Sequence, residues 1–305
     1  MTGSPVSPVA VVGATGFVGR AVLAAFEQRG IEVRAIRAPR LETSARQVDA
    51  LHAEMAAPAL RAESERLREE LRGCSVVVNA AGLSDATSGG DVLFGANALL
   101  PGLLAASTEP GTGFVHVSSA AVQGRRAVLD ETTEVEPFSP YSEAKALGEA
   151  MVPDGSVVFR PTSVQGAGRR VTASLVRLCS SPLASVAAPG DFPTPQVLVE
   201  NVADAIVFVA LRAEDAPRVV LQPWEGVTTG ELVRLLGQRR PLQVPQWLAR
   251  ALVRLGYALK PLTSRAAGIA RRLEMLWFGQ GQAPGWLDDK WAPPVGPEGW
   301  KKLSR

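Results

Sequence analysis

Histidine, cysteine and tyrosine are nearly missing from this chain, with two of each in 305 residues. With only His52 and His116, a histidine-rich zinc site is close to excluded, and no Gly-x-Ser-x-Gly elbow marks a serine hydrolase. His116 lies in Phe114-Val115-His116-Val117, whose apolar neighbours read it as a buried strand residue. Cys74 and Cys179 stand far apart without metal-ligand spacing. That excludes a disulfide framework and fits a reducing compartment, so a cytoplasmic location and no bound metal are expected. A net charge of +2 gives no electrostatic reason for a nucleic-acid partner. No run of 18 or more uninterrupted apolar residues is present, so no membrane span is expected. Nor does a charged-then-apolar leader open the chain, whose start from Met1 to Pro8 reads as a short polar tail.

What is present is an ordinary globular composition, 46% hydrophobic and 20% charged, enough for one large or two modest domains. The apolar run Val9-Ala10-Val11-Val12 leads directly into Gly13-Ala14-Thr15-Gly16-Phe17-Val18-Gly19. A strand followed by glycines at this spacing, then by helix, is a dinucleotide-binding opening. Gly13 turns the chain, Gly16 lets amides approach a pyrophosphate, and Gly19 lets the helix lie close to the strand. The helix start brings its positive dipole end to the phosphates.

Further strands are read at Ile31 to Arg37, Val76 to Asn79, Phe114 to Val117 and Val157 to Phe159. Helices are read at Asp91 to Ala106 and Tyr141 to Met151, with broken helix over 41–72. This alternation predicts an α/β, Rossmann-type, doubly wound parallel sheet. Beyond Arg160 prolines become frequent, then helices are read at Asn201 to Leu211, Gln246 to Tyr257 and Ala266 to Phe278. The expected organisation is a dinucleotide-binding domain at 1–165 and a smaller, interleaved substrate lobe at 166–305. Segments near 197–222, including Val219-Val220-Leu221, return to the sheet.

Tyr141 and Lys145 are four residues apart, on one face of a helix. An ammonium beside a phenol lowers the tyrosine pKa toward the working pH and makes a usable acid/base. Ser118 and Ser119 end a strand 22 residues earlier, where ligands of parallel sheets lie. A serine there can hydrogen-bond a carbonyl.

These residues, with Asn79-Ala80-Ala81-Gly82, Ser119-Ala120-Ala121-Val122-Gln123-Gly124, Arg160-Pro161 and Val199-Glu200-Asn201-Val202-Ala203-Asp204, resemble the extended short-chain dehydrogenase/reductases. The resemblance is to the branch of nucleotide-sugar epimerases, dehydratases and reductases, and it covers nearly the whole chain. It implies that Tyr141 donates a proton to a carbonyl, Ser119 polarises it, and Lys145 holds the nicotinamide ribose and depresses the tyrosine pKa. It also implies a cofactor site made by Gly13, Thr15, Gly16, Phe17, Val18, Gly19, Ala80, Ala81, Gly82, Asn97, Tyr141, Lys145 and Pro161. The chain departs from the family pattern in Val122-Gln123-Gly124 and in lacking a Gly-Asp-Leu segment within 46–72.

An NAD site needs a carboxylate about 20 residues after the first glycine. Here Arg37 and Arg40 follow the second strand instead, and a guanidinium suits a 2′-phosphate, so NADP(H) is expected over NAD. Ser119-Ala120-Ala121 lacks the two carboxylates that family dehydratases carry. The expected activity is therefore an NADPH-dependent ketoreductase acting on a small-molecule carbonyl, a nucleotide-linked 4-keto-6-deoxy sugar. The alternatives are a polyketide- or steroid-like ketone, a C4 epimerase, and a non-catalytic NADP(H)-binding regulator. Six tryptophans in the second half (Trp224, Trp247, Trp277, Trp286, Trp291, Trp300) give the apolar ketone weight, though core packing explains them equally. Arg169 and Arg170 read equally as diphosphate ligands or as a solvated loop. The basic amphipathic stretch at 248–255, with Ala266 to Phe278, is expected to pack over the substrate cleft rather than on a membrane. The resemblance further implies a homodimer through the helices at Asp91–Ala106 and Tyr141–Met151, although a buried helix of a monomer carries the same apolar faces.

Overall fold

The computed structural model describes residues 7–84, 90–258 and 264–304, so most of the expected N-terminal tail lies outside the described residues. From the N-terminus come β1 (Val9–Val12), α1 (Phe17–Glu27), β2 (Val33–Ile36), α2 (Val48–Met55), α3 (Pro58–Leu71) and β3 (Val76–Asn79). A long helix follows, made of α4 (Gly90–Phe94), a π-turn at Gly95–Leu99 and α5 (Leu100–Ser107). Next are β4 (Gly113–Val117), β5 (Val128–Leu129), α6 (Pro140–Met151), β6 (Val157–Arg160), β7 (Ser163–Gln165) and α7 (Arg170–Ser180). The second half continues with β8 (Ser185–Ala187), β9 (Gln196–Leu198), α8 (Val199–Ala210), β10 (Val219–Leu221) and α9 (Thr229–Gly237). It ends with β11 (Leu242–Val244), α10 (Gln246–Ala258), α11 (Ser264–Phe278), β12 (Gly281–Gln282) and α12 (Glu298–Lys301).

Six strands form one parallel sheet in the order β10-β6-β4-β3-β1-β2. Its central strands are short apolar runs because both faces are covered. The two-residue period sends alternate side chains to opposite layers. Ala10, Val12, Val77, Phe114 and Val158 pack with Leu51, Leu67, Leu103 and Met151 from α2, α3, α5 and α6. Val9, Val11, Val78, Val115 and Phe159 pack with Val22, Phe26, Val202 and Ile206 from α1 and α8. The doubly wound α/β fold is thus as expected, and β10 and α8 return from the second half of the chain to the sheet and its outer layer.

Among the described residues no strand lies outside β2. The chain leaves β2 through an irregular stretch and enters α2 and α3, then returns to pair β3 directly with β1. That is why no Gly-Asp-Leu segment is recognisable over 46–72: the strand it would follow is not built. Three two-stranded ribbons, β7–β9, β8–β11 and β5–β12, were not anticipated. They frame the smaller lobe, whose own core gathers Cys179, Val186, Leu198, Leu232, Leu236 and Trp300.

The helix Gly90–Ser107 is apolar and long enough to cross a membrane, with mean hydropathy 1.3 over 18 residues, but 67% of it is buried. It packs against α3 and α6 as a core helix does. Most of the apolar face of this helix is therefore covered within one chain.

One buried carboxylate makes stability pH-dependent. Glu225 accepts from Leu198 N at 3.0 Å, while its second oxygen is buried without a partner, and burial pushes its pKa up to about 7. The folded state holds this proton more tightly than the unfolded state does. Stability is thus lost as pH rises from the ordinary carboxylate range through about 7. Glu225→Gln is expected to remove that loss. The variant should gain about 3 kcal/mol over the natural chain at pH 8 and little at pH 4, as read by chemical denaturation at both values.

Candidate active site

The glycine loop is shaped as the sequence predicts. Gly13 has φ +82°, and Gly16 N donates back to Gly13 O at 2.9 Å before α1 begins at Phe17. A Cβ on Gly19 would stand 2.1 Å from Gly13 O, and one on Gly13 would stand 2.6 Å from Ala81 Cα. Helix and strand therefore approach as closely as only glycine allows. No side chain caps α1, so its first amides face outward at the carboxyl end of β1. Strand order reverses between β1 and β3, and the crevice of an open parallel sheet lies there.

A cleft of about 350 Å³ opens at that point. Ten of the expected residues line it: Gly16, Phe17, Val18, Ala80, Ala81, Gly82, Ser119, Tyr141, Lys145 and Pro161. Gly13, Thr15, Gly19, Arg37, Arg40 and Asn97 do not. Gly13 and Gly19 act through backbone geometry. Thr15 is exposed, as are Arg37 and Arg40, which follow β2 on the neighbouring strand without a carboxylate partner among the described residues. Asn97 is fully buried in the π-turn, donating to Leu83 O at 2.8 Å and accepting from Leu83 N at 3.1 Å. It shapes the loop after β3, and a Cβ on Gly82 would stand 2.6 Å from its Oδ1 and 3.0 Å from Lys145 Nζ. The side-chain-free backbone at Gly16 and Gly82, with uncapped amides between, fits a dinucleotide lying across the sheet end.

The two serines after β4 separate in role. Ser118 Oγ donates to Glu149 Oε1 at 2.5 Å. Glu149 in turn holds fully buried Arg160 through two bonds of 3.0 and 2.7 Å, and Arg160 also donates to Thr132 O at 2.7 Å. Ser119 accepts from Ala121 N at 3.2 Å and faces the cleft beside Tyr141. His116 is fully buried, with Nδ1 3.1 Å from Asn79 Nδ2 and a pKa well below its ordinary value through burial. The core reading of His116 fits this geometry.

The lysine–tyrosine electrostatics differ from expectation. Lys145 reaches inward, donating to Val117 O at 3.0 Å, and burial lowers its pKa to about 8 against the opposing pull of Glu149. It does not depress Tyr141. Burial raises the Tyr141 pKa, while the Ser119 hydroxyl and the Arg169 guanidinium pull it down without prevailing. The i,i+4 spacing does put both side chains on one helix face, but the ammonium turns to the end of β4 while the phenol stays at the cleft. Tyr141 is therefore a protonated phenol at neutral pH, ready to donate.

One cleft residue was left open by the sequence, and another escaped it. Arg169 enters over the Phe17 ring, 4.9 Å from its centroid, and donates to Val164 O. Arg170 is exposed and outside the cleft, so the pair splits. Thr162 Oγ1 is buried without a hydrogen-bond partner and lines the cleft. Only its place directly after Arg160-Pro161 could have signalled it. None of the six tryptophans lines the cleft: Trp277 and Trp300 are core, Trp291 donates to Asp204, and Trp247 is exposed. They therefore say nothing about substrate.

A glycine turn at a parallel-sheet switch point, with serine, tyrosine and lysine converging beside it, defines a dinucleotide-binding α/β protein. The chain belongs to the NAD dependent epimerase/dehydratase family, whose model matches residues 9–221. It is an NAD(P)-dependent oxidoreductase of the short-chain dehydrogenase/reductase type. A curated relative from Stigmatella aurantiaca, 4-hydroxy-2-methyl-3-oxo-4-farnesyl-3,4-dihydroquinoline-1-oxide ketoreductase, is 30% identical over 292 residues, covering 88% of this chain and 86% of the relative. Human epimerase family protein SDR39U1 with NADPH superposes with TM-score 0.63 at 21% identity, covering 97% and 99% of the two chains. The dTDP-4-dehydrorhamnose reductase of Bacillus anthracis in complex with NADP gives 0.60 at 14% identity, covering 97% and 98%.

Proposed function

We propose that this protein is an NADPH-dependent ketoreductase in which Ser119, Tyr141 and Lys145 carry the chemistry. The observation that carries this reading is the convergence of a protonated Tyr141, a cleft-lining Ser119 hydroxyl and a buried Lys145 ammonium in one cleft beside Pro161. Tyr141 Oη donates its proton to the carbonyl oxygen, and Ser119 Oγ hydrogen-bonds the same oxygen as charge develops on it. Lys145 would hold the ribose hydroxyls of a dinucleotide and Pro161 would wall the cleft against its carboxamide. When bound, the dinucleotide would supply the hydride for the carbonyl carbon, so that with the Tyr141 proton C=O becomes CH–OH.

The substrate side of the cleft is walled by Leu129, Phe138, Val171, Pro195 and Met275. Such walls favour an apolar ring ketone, as does the Stigmatella relative, whose name gives a farnesylated dihydroquinoline as its ketone. A nucleotide-linked 4-keto-6-deoxy sugar is the second reading, favoured by two guanidinium groups in the cleft, Arg169 and Arg271. NADPH consumption with a prenylated bicyclic ketone and with the dTDP-linked ketone separates them. The first reading expects turnover of the ring ketone, and turnover of the dTDP sugar alone reverses the order.

NADP(H) is the cofactor this reading requires, with Arg37 as the reader of the 2′-phosphate and Arg40 beside it. Arg37→Ala is expected to raise the KM for NADPH at least tenfold, the loss of a charge-assisted bond, and to leave that for NADH nearly unchanged. Equal losses with both cofactors in steady-state kinetics would remove Arg37 from this role.

A further inference from the structure

Helix α10 turns the wrong way for a core helix. Only Ala249 and Val253, two of its smaller apolar side chains, are buried beneath it. Trp247 is 72% exposed, Leu255 57%, Leu252 43% and Leu248 36%. At about 100° per residue these four fall on one solvent-facing arc, with exposed Arg250 and Arg254 along its edge. Ile269 of the adjoining α11 is exposed as well, and so are Leu183, just before β8, and Leu242, which opens β11, the strand leading into α10. An exposed stripe of large apolar side chains along one helix marks a contact site rather than an ordinary solvent face.

Charge identifies the partner. Residues 239–278 hold eight lysines and arginines against one acid, Glu274, in a chain whose net charge is only +2. Arginines edging a stripe of tryptophan and leucine are the make-up of a helix that lies in a membrane interface, where indole and aliphatic groups enter the acyl boundary and cations meet anionic headgroups. The position is apt. Arg250 and Arg254 line a pocket with Arg125 and Arg271, and Arg271 also lines the catalytic cleft, so the face adjoins the cleft mouth.

We propose that the outward face of α10 docks this protein peripherally on an anionic lipid bilayer. The expected packing of this region over the cleft holds for α11, through Arg271 and Met275, while the large side chains of α10 are left for the lipid. The proposal does not depend on which ketone is reduced. A lipophilic substrate would pass from bilayer to cleft without crossing open water.

The test is co-sedimentation of the full chain with vesicles of phosphatidylglycerol and phosphatidylcholine, against vesicles of phosphatidylcholine alone. The protein is expected to pellet with the anionic vesicles, weakly with the neutral ones, and less as salt is raised. Trp247→Ser combined with Leu255→Ser is expected to lower vesicle affinity at least tenfold while thermal unfolding and NADPH binding stay as in the natural chain. Protein that stays in the supernatant with anionic vesicles overturns the proposal and leaves the face for a protein partner. A double variant that pellets as well as the natural chain, or equal pelleting with neutral vesicles, overturns it too.

Discussion

Replacing Tyr141 with Phe is expected to lower ketone reduction about a thousandfold, the scale of a lost general acid, while NADPH affinity stays within a few-fold. The phenolic oxygen is the only heavy atom removed. Its surroundings are the Ser119 hydroxyl and the Arg169 guanidinium, both of which keep other partners, in Ala121 N and Val164 O. The ring stays packed against the core layer beneath α6, so fold and cofactor site are preserved. Substrate titration at saturating NADPH reads the loss in kcat. A Tyr141→Phe protein that turns over at the natural rate would take the proton from elsewhere and remove Tyr141 from the reaction.

Glu149→Ala is expected to cost about 3–5 kcal/mol of stability, lowering the thermal midpoint by about 5–8 °C. Arg160 is wholly buried and spends two of its donors on this carboxylate, so truncation strands a cation in the sheet layer. It also frees Ser118 Oγ from its acceptor. Removing both charges at once, as Glu149→Leu with Arg160→Met, is expected to restore most of the loss, because the cost lies in the orphaned partner. Calorimetry of the two variants decides it. A single variant that melts with the natural chain would mean water already serves Arg160.

The central strands of the parallel sheet were legible because each is a short apolar run covered on both faces, and the cofactor loop because its glycines answer to steric contacts of 2.1 and 2.6 Å. Tyr141, Lys145 and Ser119 were legible from helix spacing and strand ends. What spacing does not carry is the direction of a long side chain. Lys145 and Tyr141 share a helix face, yet the lysine bonds Val117 O and leaves Arg169 as the cation that acts on the phenol. Arg169 sits in a loop with no period, beside an arginine that ends up in solvent, so no pattern could choose between them. The ribbons of two and three residues are too short to show a period. Amphipathicity at α10 was visible, but an apolar stripe does not say whether core or solvent lies beneath it. Here the buried side proved to be Ala249 and Val253.

The most direct test of the ketoreductase assignment is isotope transfer from NADPH deuterated at the nicotinamide C4, with a prenylated bicyclic ketone as acceptor and the alcohol read by mass spectrometry. One deuterium is expected at the carbinol carbon, from one of the two C4 faces, with one NADPH consumed per alcohol formed. Bound NADPH with no net consumption and no deuterium in any product, across ring ketones and the dTDP-linked ketone alike, would contradict it and leave an epimerase or a non-catalytic binder.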